Sequence, residues 1–245
     1  MNTYAGKNAV VAGGSSGIGL AMAALLSTGG ARVLITGRSE EGLAAVRDRH
    51  DVLTVRSDAT VAADRAELAE RVRAELGTVD ALFVNAGIAG AGPFGEITED
   101  EYDRVFDGNT KAPYFTVQSL APLLAPGAGV VLTTSIVNVA GFADLSVYSA
   151  SKAALRSMSR TLGRELLSRR IRVNAVSPGP IDTGILERSL PTEVAAQMIA
   201  QYTASNPMQR MGDPNEVARA AAFLAFDATF TTGAELAVDG GVSQL

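Results

Sequence analysis

Short apolar runs rich in β-branched residues alternate along this chain with longer stretches of Ala, Leu, Glu and Arg at helical spacing. "NAVVAG" (8–13), "ARVLITG" (31–37), "DVLTV" (51–55), "VDALFVNAG" (79–87), "GVVLTTS" (129–135), "IRVNAVSPG" (171–179) and "AELAVDGG" (234–241) read as buried strands. Segments 17–28, 40–49, 61–76, 99–125, 147–169 and 214–226 have helical composition. Such alternation predicts one doubly wound α/β domain spanning 1–245, with a seven-stranded, mainly parallel sheet and helices on both faces. Ligands of such sheets bind beyond the carboxyl ends of the strands, at the point where the strand order reverses. The residues just after each strand are therefore the ones to inspect.

Composition narrows the chemistry. The chain has no Cys and a single histidine, His50, in the charged stretch "RDRHDV". A thiol nucleophile, a Ser-His-Asp triad and a zinc site of the usual Cys/His kind are thereby excluded. Hydroxyls, amines, carboxylates or a cofactor must do the work, and no metal is expected. The formal net charge is −5 without a basic run, which argues against nucleic acid. No apolar run approaches a membrane span, and "MNTYAGKNAVVAGG" lacks the layout of a signal peptide. The expectation is a soluble cytoplasmic protein that acts on a small molecule.

The first strand leads into "VVAGGSSGIGLAMAALL", with Gly13, Gly17 and Gly19 between an apolar strand and an Ala-rich helix. Glycines there permit a tight turn and close approach to a pyrophosphate, which the helix N-terminus then receives. The spacing G-x-x-x-G-x-G is a variant of the dinucleotide fingerprint. In NAD-binding units an acid at the end of the second strand takes the ribose 2′-hydroxyl. Here the second strand ends "LITGRSEE", with Gly37 at the expected acid and Arg38 after it. Arg38 offers a planar fork to a 2′-phosphate, and Ser39 can add a hydroxyl. The competing arrangement has Arg38 in solvent and Glu40 or Glu41 on the ribose. The pattern favours NADP(H) over NAD(H).

Together, "AGGSSGIG" (12–19), "NAG" (85–87), Asn109 in "FDGNTKA", Ser135 in "VLTTSIV", "YSASK" (148–152) and "SPGPIDT" (177–183) resemble the short-chain dehydrogenase/reductase family. Their order and separations agree over nearly the whole chain. "GR" after the second strand and the closing "LAVDGGVSQL" look most like its NADP-linked secondary-alcohol dehydrogenases and ketone reductases. The resemblance implies a Rossmann-type domain, a Ser-Tyr-Lys-Asn site and a homotetramer with 99–125 and 147–169 at one interface. It also implies cofactor contacts from Gly13, Ser15, Ser16, Gly17, Ile18, Gly19, Asp58, Ala59, Asn85, Ala86 and Gly87. Pro178, Gly179, Ile181 and Thr183 fall at the nicotinamide end. Two positions depart from the family pattern. Ala12 stands for the usual Thr, removing a hydroxyl that ties the glycine loop to its neighbours. Gly108 stands where a β-branched residue is usual.

Tyr148 and Lys152 lie four residues apart, on one face of a helix. Reducing a ketone leaves an alkoxide that needs an acid, and Tyr148 fits that part. Lowering a phenol from about 10 to roughly 7 means stabilising the phenolate by about 4 kcal/mol, part of which Lys152 can supply. Of 21 basic residues only Lys7, Lys111 and Lys152 are lysines. A compact, rotatable ammonium in a sequence that otherwise chooses Arg fits a buried role rather than a surface pair. Ser135 ends its strand and can hydrogen-bond the substrate oxygen. Strand alternation places Thr133 on the same side as Ser135, with Thr134 opposite. By resemblance Asn109 holds a water that connects Lys152 to solvent; a plain helix break after Gly108 is the other reading.

The mixed segment 184–212 suits a cover over a site. With Val137 and Leu145 near the reacting centre, and Ile185 and Tyr202 from the cover, an apolar ketone or secondary alcohol is the expected substrate. Few basic residues fall near these positions, which disfavours a polyanion. A 3-oxoacyl carrier or a sugar would use the same machinery. A non-catalytic dinucleotide-binding regulator is the reading from another class, and intact Ser135, Tyr148 and Lys152 argue against it. A dehalogenase on this fold would replace the glycine loop and the lysine, both of which are present.

Overall fold

A computed structural model describes residues 3–245. Its seven strands are β1 (Asn8–Ala12), β2 (Arg32–Gly37), β3 (Leu53–Arg56), β4 (Val79–Val84), β5 (Leu124–Thr133), β6 (Arg172–Pro178) and β7 (Glu235–Val238). They pair in the order β3-β2-β1-β4-β5-β6-β7, every pair parallel. This is a doubly wound, Rossmann-type sheet whose order reverses between β1 and β4.

Alternation along each strand builds two cores. Ala9, Val11, Val33, Ile35 and Phe83 face α1 (Gly17–Thr28), α2 (Glu40–Arg47) and α9 (Pro214–Ala222). Val10, Leu34, Leu82, Val84 and Leu132 face α3 (Ala62–Glu75), α5 (Ala112–Leu120) and α6 (Ser146–Glu165). Both faces are thus apolar, as strands buried on two sides require.

The stretch expected as one helix over 99–125 is instead broken. Helix α4 (Glu99–Phe106) passes into a π turn over Asp107–Lys111 before α5, and a 3-10 turn closes it at Ala121–Leu123. Strand β5 already begins at Leu124, so the last residues of that stretch belong to the sheet. Pro122 and Pro126 cannot continue a helix, and the β4–β5 register shifts between Val79 and Ala81. The segment 184–212 carries α7 (Ile185–Ser189) and α8 (Thr192–Ser205). No helix among the described residues is long and apolar enough to cross a membrane.

Candidate active site

The loops after β1, β4, β5 and β6 meet at the reversal point and enclose one continuous cleft. Its outer part is lined by Gly13, Ser15, Gly37, Arg38, Asp58, Ala59 and Ala86. Its inner part, about 370 Å³, is lined by Gly17, Ile18, Ser135, Tyr148, Lys152, Pro178, Gly179, Ile181 and Thr183. Ser16, Asn85, Gly87 and Ile88 border both. Two expected cofactor residues sit elsewhere. Gly19 packs its backbone against the Gly13 carbonyl, keeping helix and loop in contact. The Ser39 hydroxyl accepts from Gly42 N at 3.1 Å and caps α2, so the cap preference of Ser decided its place.

The glycine loop is tied down although Ala12 brings no hydroxyl. Thr36 Oγ1 accepts from Gly13 N at 3.1 Å, and Asn85 Nδ2 donates to the Gly13 carbonyl at 3.0 Å. The amides of Asn85 and Ala86 both donate to Ala12 O. A Cβ on Gly13, whose φ is +83°, would lie 2.7 Å from Ala86 Cα, so the two loops touch through backbone. Ser16 precedes α1 without making a side-chain cap bond, and no acid occupies the first turn. The N–H groups of that turn are left for an anion.

Tyr148 and Lys152 lie in the first two turns of α6 and face the cleft together. Lys152 is fully enclosed; its ammonium donates to the Thr133 carbonyl at 2.9 Å and sits 5.8 Å from the Tyr148 ring centre. Burial pulls its pKa down to about 8. The expected acidification of Tyr148 is not a property of the protein alone. Desolvation of the phenolate pushes this phenol up, while a hydrogen bond with Ser135 pulls the other way. Thr133 Oγ1, buried in the same cleft, has no hydrogen-bond partner.

Asn109 lies in the π turn and is completely buried. Its Oδ1 accepts from Ile88 N at 2.8 Å, and its Nδ2 donates to Ile88 O at 2.9 Å and to Ser151 Oγ at 3.2 Å. Both side-chain donors are therefore spent on protein. They fix the chain after β4 against α6 beside Lys152. Gly108 belongs to the same contact: a Cβ there would come within 3.0 Å of Ile88 Cγ1.

Ser135 is held from behind. Glu235 Oε1 accepts from Thr134 Oγ1 at 2.6 Å and from Asn138 Nδ2 at 3.1 Å, and Asn138 also donates to the Ser135 carbonyl. Glu235 Oε2 pairs with Arg156 Nε at 3.3 Å, each side chain 14% exposed. Of the residues expected at the substrate, only Ile185 lines the cleft. Val137 is buried in the 3-10 turn over Ile136–Asn138, Leu145 precedes α6, and Tyr202 stays on α8. Arg188, which was not among the expected site residues, lines the inner cleft as its second basic residue beside Lys152.

A cradle of backbone donors, a glycine edge and a half-buried phenol beside a buried ammonium at the switch of a parallel sheet are the equipment of a dinucleotide-dependent oxidoreductase. Residues 12–243 match the family profile described as enoyl-(acyl carrier protein) reductase. An oxidoreductase of Sarocladium schorii, asL5, is 42% identical, with 98% of this chain and 97% of that protein covered. The cis-4-hydroxycyclohexanecarboxylate dehydrogenase of Sinomonas cyclohexanicum is 40% identical, covering 99% and 98%. A short-chain dehydrogenase/reductase structure from Serratia marcescens superposes with a TM-score of 0.89 at 31% identity, covering 98% and 99%. The chain belongs to the short-chain dehydrogenase/reductase family, whose members use NAD(P).

Proposed function

We propose that this protein is an NADP(H)-dependent oxidoreductase interconverting a ketone and a secondary alcohol. The observation that carries the reading is the convergence of Ser135, Tyr148 and Lys152 on one cleft with the Gly37–Arg38 edge at its other end. Bound there, the dinucleotide supplies or accepts the hydride. Ser135 and Tyr148 offer their hydroxyls to the carbonyl oxygen, and Tyr148 delivers the proton as charge develops on that oxygen. Lys152 holds a positive charge in a dry environment beside the phenol, which favours the phenolate of the reverse direction.

Preference for the 2′-phosphate rests on space as well as charge. Gly37 supplies no acid to meet a ribose hydroxyl, and a Cβ there would crowd Ser15, 2.8 Å from its Oγ. Ser15 and Arg38 both face the same part of the cleft. Ile88, Ile181 and Ile185 give the inner end an apolar wall, which supports an apolar carbonyl substrate. The trough of Phe106, Tyr114, Phe115 and Met158 across the end of α4, α5 and α6 supports association of copies through that face.

The test is an NADPH and NADH oxidation screen over aryl ketones, diketones, sugars and 3-oxoacyl thioesters. Tyr148→Phe is expected to abolish reduction while NADPH still binds; sustained turnover would remove Tyr148 as the acid. Arg38→Ala should weaken NADPH about tenfold or more and barely change NADH, as loss of a charge-assisted contact to phosphate implies. Equal losses for both dinucleotides contradict the phosphate role.

A further inference from the structure

Arg188 is the one basic side chain among the described residues that lines the inner cleft besides Lys152. It stands on α7, immediately after the β6 loop, and its guanidinium donates to the Thr183 carbonyl at 3.0 Å. It makes no ion pair among the described residues, although Glu187 is its neighbour in sequence. The remaining N–H groups of a rigid five-donor fork are unspent.

Its location says what anion it meets. Thr183 is packed on the glycine loop: a Cβ at Gly17 would lie 3.2 Å from Thr183 Cβ. One hydrogen bond from Arg188 to Thr183 and one contact from Thr183 to Gly17 therefore join the guanidinium to the start of α1. That helix start has uncapped N–H groups and no acid in its first turn. Arg188 is exposed at the mouth of the pocket, on the segment that covers it, and shares that pocket with the start of α1. Ser16, Gly17 and Ile18 of that start line the same pocket as Arg188, which also holds Ser135 and Tyr148, where a ketone would sit.

We infer that Arg188 is a cofactor-binding residue that clamps the diphosphate of the dinucleotide against the α1 N-terminus. The inference rests on the dinucleotide-dependent reading above and adds a contact from the covering segment to it. Because the diphosphate is common to NADPH and NADH, Arg188 acts on both alike, in contrast to Arg38.

The experiment is calorimetric titration of wild type, Arg188→Ala and Arg188→Lys with NADPH, NADH, ADP-ribose and AMP. Unchanged far-ultraviolet dichroism of the free variants establishes that they fold. For Arg188→Ala, Kd for NADPH, NADH and ADP-ribose should rise together by about tenfold, with AMP, which lacks the bridging diphosphate, nearly unaffected. Arg188→Lys should recover part of the loss. Unaltered dinucleotide affinities overturn the inference, and a KM then raised only for ketones that bear a carboxylate would assign Arg188 to the substrate. If wild type itself binds neither dinucleotide, the dinucleotide-dependent reading fails first, and that outcome is separate from any difference among variants.

Discussion

Lys152 is held in the site at a clear electrostatic cost. A lysine whose pKa falls from 10.5 to about 8 on folding is charged at neutral pH at an expense of about 3 kcal/mol. Below about pH 8 both folded and unfolded chains bind the proton, and the whole cost is present. Between about 8 and 10.5 the unfolded chain holds more protons than the folded one, so stability from this residue rises with pH. Above 10.5 neither holds it, and the cost is gone. Lys152→Met removes the charge but strands the Thr133 carbonyl, a loss of about 1–3 kcal/mol at every pH. The expected result is a pH-dependent gap in urea melts of the free proteins: wild type gains on Lys152→Met as pH is raised from 7 to 10. A gap that is flat or moves the other way would show that the ammonium is not desolvated. This variant should also be inactive, so the residue trades stability for chemistry.

At the scale of elements, the π turn over Asp107–Lys111 is what brings Asn109 inward. One extra residue per turn rotates the side chain off the regular helical face, as π turns do at functional sites. Gly108 gives the turn room beside Ile88, and Ile88 is the residue whose amide and carbonyl Asn109 grips. Restoring a β-branched residue with Gly108→Val should push Ile88 aside and cost about 1–3 kcal/mol, with activity falling as the Asn109 contacts stretch. Trimming the neighbour in the same chain, Gly108→Val with Ile88→Ala, should return part of the stability. Simple additivity of the two changes in a double-mutant cycle would contradict the contact. Resemblance pointed to Asn109, with a plain helix break as the other reading, and neither anticipated the π turn, whose cause is a space between 108 and 88 that no local pattern displays. Ser39, expected at the cofactor, has its hydroxyl capping α2, where Ser is locally preferred.

Across the whole molecule, what could be read from the chain was whatever repeats with the period of a strand or stands in a loop right after one. All seven strands, the glycine loop and Ser135 are of that kind, and the Tyr148–Lys152 pair was legible by its helical spacing instead. The parts played by Arg188, Ile88 and Glu235 could not be read that way, since each finds its partner only when distant segments close on the cleft. Glu235 shows this most fully. It belongs to β7, the last strand and an edge of the sheet, yet its carboxylate reaches across β6 to hold Thr134 and Asn138 on either side of Ser135. Arg156 of α6 pairs with it from the helix that also carries Tyr148 and Lys152, and donates to the Gly233 carbonyl at 2.9 Å. The mostly buried pair thereby fastens the sheet edge, the serine turn and the tyrosine helix to one another. Removing one partner leaves the other charge unpaired and costs on the order of 3 kcal/mol. Glu235→Ala should lower Tm by roughly 6–12 °C for a chain of this size, and Arg156→Ala should add little once Glu235 is gone. Ser135 loses its rear support in that variant while the glycine loop is untouched, so kcat for ketone reduction should fall with the NADPH Kd unchanged. A matching loss of NADPH affinity would mean that the network braces the whole cleft and not Ser135 in particular.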